Sequence, residues 1–83
     1  MKVTVKYFAG IREAIGLSGE LRDTEALTLA MLRDELIALG DVYADSLARG
    51  KAVRLALNQV MVDESAVLTD GAEVAFFPPV TGG

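Results

Sequence analysis

Alternating hydrophobic and polar residues predict the strands of this chain. The clearest alternation covers residues 2–8, where every second residue from Val3 onward would lie on one face of a strand. Shorter or weaker runs predict four more strands, over residues 17–23, 53–57, 60–62 and 73–77. Turns are predicted at 58–59 and 69–71, where the residue types favour tight reversals of the chain.

A different spacing predicts the helices. The clearest helix covers residues 28–39, in which leucines recur with 3-4-3 spacing at Leu29, Leu32, Leu36 and Leu39. Thr28 is a good N-cap, and Gly40 can adopt the left-handed conformation that ends a helix. Arg33 and its two acidic neighbours fall on the opposite side and are expected to face solvent. Shorter helical turns are predicted over residues 9–16 and 43–49.

This order of elements predicts an α+β fold of the β-grasp, or ubiquitin-like, kind. One amphipathic helix has one wide apolar face to bury, and a mixed sheet of four or five strands would cover it. The first and last strands would then lie parallel at the centre of the sheet. Other α+β rolls share the same order of elements. We expect one domain over residues 1–77 and an extended tail over residues 78–83.

Composition and charge narrow the classes of function. The net charge is −4, and the eight basic residues are scattered, which argues against nucleic acid as a partner. No apolar run approaches the roughly 18–20 residues that cross a bilayer, and the first residues do not resemble a signal peptide. We therefore expect a cytoplasmic protein without a membrane partner.

The chain contains no cysteine and no histidine. Their absence excludes thiolate nucleophiles, Cys/His zinc sites and imidazole acid–base catalysis within this chain. No glycine-rich phosphate loop is present either. We expect no bound metal and no bound cofactor, and we expect any catalytic side chains to come from another protein.

The residues after the last predicted strand form a thin arm, in the order Pro78, Pro79, Val80, Thr81, Gly82 and Gly83. The two prolines hold the backbone extended, and glycines without a Cβ can pass through a channel too narrow for side chains. The carboxylate of Gly83 would then be a reachable group that becomes an acyl donor once AMP activates it. A frayed end is the ordinary explanation of a Gly-Gly pair. The stiff proline spacer behind it favours a function.

Several segments carry a resemblance to a known family. Residues 68–83, LTDGAEVAFFPPVTGG, closely resemble the end of the small subunit of molybdopterin synthase, the MoaD family. Residues 3–13 and 57–59 are similar to the start and middle of that family, whereas residues 17–28 match poorly. The combination of Phe-Phe-Pro-Pro with a terminal Gly-Gly is specific to this family. Gly-Gly alone is shared with thiazole-pathway carriers and ubiquitin-like modifiers. At Ala72 the family often has an acidic residue, and we expect this position to be exposed.

The resemblance implies a role as a sulfur carrier that is not catalytic alone. An ATP-dependent activating enzyme of the MoeB type would adenylate Gly83, and a sulfur-delivering enzyme would supply the sulfur for a thiocarboxylate. The tail, from Pro78 to Gly82, would enter a pocket of the large synthase subunit, of the MoaE type, in a heterotetramer. There it would donate sulfur to a pyranopterin precursor in molybdenum cofactor biosynthesis. ATP would be used by the activating enzyme and not held by this chain.

Strand alternation also predicts a surface for the partner. Phe8, Met61 and Phe77 each point away from the apolar neighbours on their own strands, so the three could form an apolar patch on the sheet face without the helix. The other interpretation is that Phe8 and Phe77 pack under the first short helix or a loop. The residues alone leave both open.

Other functions remain compatible with the sequence. The chain could supply sulfur for thiamin thiazole or another sulfur metabolite, with the same chemistry at Gly83 and a different partner. It could be a ubiquitin-like binding module that transfers nothing. Conjugation to lysine, as in ubiquitin-like modifiers, is a third alternative.

Overall fold

The computed structural model describes residues 1–79, which form a mixed five-stranded sheet with three helices. In chain order the elements are β1 (Lys2–Tyr7), α1 (Ala9–Ile15), β2 (Gly19–Asp23), α2 (Leu29–Ile37), α3 (Asp41–Leu47), β3 (Arg54–Leu57), β4 (Val60–Val62) and β5 (Glu73–Phe77). This is the predicted α+β, β-grasp architecture. In the described range, no helix is long and apolar enough to span a membrane.

The strands lie in the order β2-β1-β5-β3-β4. β1 and β5 pair in parallel at the centre of the sheet, as predicted, with a register from Thr4 opposite Glu73 to Tyr7 opposite Phe76. All other neighbouring strands are antiparallel. The hairpin between β3 and β4 turns at Asn58 and Gln59, whose φ angles of 50° and 69° are what a tight two-residue turn requires.

The core lies between one face of the sheet and the helices. Alternate residues of β1 and β5 point into it and are fully buried with leucines of α2 and α3. The Tyr7 and Phe76 rings stack there with centroids 6.3 Å apart. One face of the sheet is therefore covered by helices.

The main helix agrees with its sequence signals at its start and departs from them at its end. The Thr28 hydroxyl accepts a hydrogen bond of 3.2 Å from the Met31 amide, which is the expected N-cap. The helix ends at Ile37, two residues early, so Leu39 is exposed and does not extend the buried stripe. Gly40 has a φ of 79° and a ψ of −168°, so it is not in the predicted left-handed helical conformation but leads directly into α3.

Arg33 was expected to face solvent, and this expectation is wrong. Its side chain is buried, and its guanidinium donates to the carbonyls of Leu47 and Ala48 at 2.7 and 2.8 Å and to Glu64 at 2.8 Å. The reason is that α3 and the segment after it fold over this side of α2. The carbonyls at the end of α3 have no hydrogen-bond donors within their own helix, so they need donors from elsewhere.

Three smaller differences concern the sheet. β2 begins at Gly19 and β3 at Arg54, later than predicted. Ala72, expected to be exposed, is buried, because its carbonyl accepts a hydrogen bond from the Thr4 amide and holds the start of β5 against β1. β5 ends at Phe77, directly before the prolines, as the missing proline amides predict.

Candidate functional site

The sheet face turned away from the helices carries an open depression of about 790 Å³. Its apolar lining comes from three strands and the chain beside them: Phe8, Ala56, Met61, Ala75, Phe77, Pro78 and Pro79. We call this surface the open face. It exists because alternate residues of β1, β3, β4 and β5 point away from the core.

The open face brings together the three residues of the predicted partner surface. The Phe8 and Phe77 rings meet edge to face, with centroids 6.4 Å apart and planes at 89°. Phe8 is 43% exposed and Met61 is 55% exposed, while Phe77 is half-buried. Phe8 precedes α1 and does not pack beneath it. That a partner binds here stays a prediction.

The floor of the open face is a single row of residues across four strands. Lys6 of β1 pairs with Ala75 of β5, Ala75 with Ala56 of β3, and Ala56 with Met61 of β4. Both alanines are buried. Because the two alanine side chains at the middle of the row are small, they create the depression, and larger side chains surround it. Such a shape suits a protruding apolar group of another protein.

Two charged residues line the open face, Lys6 and Glu73. The Lys6 Nζ lies 3.5 Å from the Glu73 Oε1. The backbone of Glu73 is fixed by Asn58, whose side-chain oxygen accepts from the Glu73 amide and whose amide donates to the Glu73 carbonyl. The two charged residues therefore have defined positions on the neighbouring central strands β1 and β5.

The predicted tail begins at the edge of this surface. Pro78 and Pro79 line the depression and are half-buried. Val80, Thr81, Gly82 and Gly83 lie outside the described residues, so the predictions that fall on them stay predictions. The open face and the start of the tail are thus neighbours.

The strongest electrostatic perturbations lie elsewhere. Burial raises the pKa of the Tyr7 phenol, and its hydrogen bond of 2.8 Å to Glu20 adds to this shift. The Tyr43 phenol donates to the same Glu20 oxygen at 2.7 Å, which raises the pKa of Tyr43. This cluster joins α3 to β1 and β2 on the helix side of the sheet. It stabilises the fold and does not line the open face.

Within residues 1–79, no group of acidic side chains is arranged to hold a metal ion. The chain also has no histidine or cysteine.

Sequence reasoning missed several residues of the open face. The alternation in β1 places Lys6 on the same side as Phe8, and the alternation in β5 places Glu73 with Phe77, so both could have been found from the pattern. Ala56 and Ala75 could not, because their juxtaposition depends on the register between β3 and β5.

Comparisons with known proteins identify relatives of this chain. The ThiS family model matches residues 5–83. The molybdopterin synthase sulfur carrier subunit of Escherichia coli K12 is 42% identical over 81 residues, which cover 98% of this chain and 99% of that protein. The protein of the same name from Haemophilus influenzae is 37% identical with the same coverage.

A solved structure supports the fold as well as the kinship. A chain in the protein–protein complex of subunits 1 and 2 of molybdopterin-converting factor from Helicobacter pylori 26695 superposes with a TM-score of 0.70. It is 28% identical, and the match covers 100% of both chains. With a family match over almost its whole length and relatives above one-third identity, this chain belongs to the ThiS family.

Proposed function

We propose that this chain is the sulfur carrier subunit of a molybdopterin synthase, and that it works through the carboxylate of Gly83. The observation that carries the proposal is the match over nearly full length to relatives with this name, at up to 42% identity. The open face, which adjoins the start of the tail at Pro78, supports it because a carrier needs a docking surface beside its reactive arm.

The proposed chemistry takes place on the main chain. An activating enzyme joins the Gly83 carboxylate to AMP from ATP and releases pyrophosphate. Hydrosulfide supplied by a delivering enzyme then displaces AMP from the acyl carbon and leaves a Gly83 thiocarboxylate. The sulfur of the thiocarboxylate bonds to the pyranopterin precursor, and water cleaves its bond to the Gly83 acyl carbon, which restores the carboxylate. Side chains for these steps come from the partners, since this chain offers no imidazole or thiol. We place these steps in the cytoplasm, where ATP is available.

The large synthase subunit is the proposed occupant of the open face. The Helicobacter pylori complex of subunits 1 and 2 supports a partnership of this kind. Covering Phe8 and Met61, both about half exposed, would remove apolar surface from water, and each such side chain contributes on the order of 1–2 kcal/mol. The tail would extend from the same surface into the pocket of the large subunit.

The decisive experiment is intact-mass spectrometry. The purified chain is incubated with ATP, the activating enzyme of the same organism and a sulfur donor. We expect a mass increase equal to the exchange of one oxygen atom for one sulfur atom, located at Gly83 by fragmentation. Omission of ATP is the control and should abolish the change.

Two outcomes would contradict the proposal. A chain that never forms an acyl-adenylate or a thiocarboxylate with its activating enzyme is not a sulfur carrier. A thiocarboxylated chain that fails to bind the large synthase subunit but supports thiazole formation would reassign the carrier to the thiamin pathway.

A further inference from the structure

Lys6 and Glu73 place an ion pair within a surface that is otherwise mostly apolar. Their contact is 3.5 Å, at the long end of the range for a hydrogen bond, and their side chains are 44% and 29% exposed. The ammonium group has three donors, and water can still reach it. In the free protein the pair is therefore partly hydrated.

A partner that covers the open face would remove this water. A buried ammonium group that loses hydration without gaining an acceptor destabilises the complex. The Glu73 Oε1 is 3.5 Å away and the ammonium group has three donors, so a partner that excludes water has to supply a further acceptor. Lys6 is the more exposed member of the pair and hence the one that the partner meets first.

The next charge on this side of the sheet has the same sign. Arg54 stands opposite Phe77 in the β3–β5 register, two residues before Ala56, so it points to the same side as the open face. It is exposed and lies outside the depression. Asp63 lines a neighbouring groove together with Arg54 and Met61, so two basic and two acidic groups border the apolar contact. Lys6 is the basic group among them that lies within the depression, and a carboxylate of the partner would complement it.

We propose that the protein covering the open face places a carboxylate over Lys6, and that this contact fixes the orientation of the partner. The inference rests on the proposed function, with the large synthase subunit as the partner. Contacts with Phe8, Met61 and Phe77 contribute to affinity but are non-directional. A charge at a fixed point of a rigid strand sets the rotation of the partner about that contact. This rotation decides where its pocket lies relative to the tail that begins at Pro78.

A charge swap tests the proposal directly. The double variant Lys6→Glu/Glu73→Lys keeps the net charge and the internal ion pair while it reverses the polarity presented to the partner. We expect an unchanged melting temperature and about tenfold or greater weakening of binding to the large subunit of the same organism, measured by isothermal titration calorimetry. Swapped and unswapped chains that bind equally well would overturn the inference.

A single substitution adds a matched control. Lys6→Glu and Lys51→Glu change the net charge equally, but Lys51 does not line the open face. We expect Lys6→Glu to weaken binding and Lys51→Glu to leave it unchanged. Equal losses would show that only long-range charge matters, and the proposal would be wrong.

Two further measurements separate the possible failures. If Phe77→Ala weakens binding and the swap does not, the inference fails while the proposed interface stands. If neither variant weakens binding, the proposed interface fails as well.

The other possible occupant of the open face is a second copy of this chain. A swapped chain would then still pair with itself, so dimers of both forms in sedimentation equilibrium would overturn the assignment to the large subunit.

Discussion

At the scale of single residues, two neighbouring phenylalanines show how strand alternation divides the sequence between stability and binding. Phe76 points into the core, is fully buried and stacks on Tyr7. Phe77 points to the opposite side and meets Phe8 on the open face. The two residues have the same side chain, so the difference in their roles comes from the pleat of β5 alone.

Alanine substitutions at these two positions should therefore have different effects. We expect Phe76→Ala to lower the free energy of unfolding by about 3–5 kcal/mol, because it leaves a cavity in the core. Phe77→Ala should cost about 1 kcal/mol or less and should weaken binding of the large subunit. Urea denaturation and calorimetric titration measure the two quantities. A loss of stability at Phe77 as large as that at Phe76 would assign both to the core.

At the scale of elements, Arg33 joins parts of the chain that the sequence pattern treats as separate. It lies on α2 and binds the carbonyls at the end of α3, and it also binds Glu64 after β4. Arg49 contacts Glu64 as well, but its side chain is 44% exposed. The two arginines thus share one partner in different environments.

This pair gives a second prediction. Arg33→Ala leaves the carbonyls of Leu47 and Ala48 without this donor and leaves Glu64 paired with Arg49 alone, and we expect a loss of about 2–4 kcal/mol in the free energy of unfolding. Arg49→Ala removes exposed ion pairs to Asp34 and Glu64 and a hydrogen bond to the Ala30 carbonyl, and should cost less, about 1–2 kcal/mol. Urea denaturation of both variants at the same pH compares them. Equal losses would mean that burial of Arg33 contributes nothing to its effect.

A third prediction concerns acid stability. Burial opposes ionisation of Glu35, but hydrogen bonds from Thr24 and Arg22 outweigh it and hold the pKa of this carboxyl below its ordinary value of 4.5. Because the folded state binds the proton more weakly, the stabilisation is complete above about pH 4.5 and is lost as the pH falls through the lower, folded-state pKa.

The variant Glu35→Gln tests this link. We expect it to be less stable than the wild type at pH 7 and to lose less stability between pH 7 and about pH 3. Denaturant titrations at several pH values measure both curves. Parallel curves would show that Glu35 does not contribute to the pH dependence.

The same elements show what sequence patterns reveal and what they do not. The N-cap at Thr28 and the turn at Asn58 are local, so residue type alone predicted them. Burial of Arg33 depends on α3 folding over α2, which no helical period encodes. Burial of Ala72 depends in the same way on its contact with β1.

At the scale of the whole molecule, the proposal separates a stable domain from a reactive tip. The parallel β1–β5 pair at the centre of the sheet was predicted from the apolar character of both strands. The register that brings Lys6, Ala75 and Ala56 into one row was beyond sequence reasoning, because pairing register is set by tertiary packing.

A one-residue extension tests this separation. An alanine added after Gly83 moves the carboxylate away from the glycine and places a side chain at the tip. We expect an unchanged melting temperature, because β5 ends six residues earlier at Phe77, together with complete loss of thiocarboxylate formation. Full sulfur transfer by the extended chain would contradict the assignment of Gly83.

The central position of β5 has a consequence for how the protein matures. β5 is the strand that connects β1 and β2 on one side to β3 and β4 on the other. Thr4 meets Glu73 across most of the length of the chain, so this pairing cannot form until β5 has left the ribosome. A chain truncated before β5 would lack the strand that joins the two outer pairs, and isolated pairs of strands are only marginally stable in water. We therefore expect a prematurely terminated chain to remain unfolded and to be degraded. Such a chain would not form a domain that binds the partner without carrying the C-terminal tail.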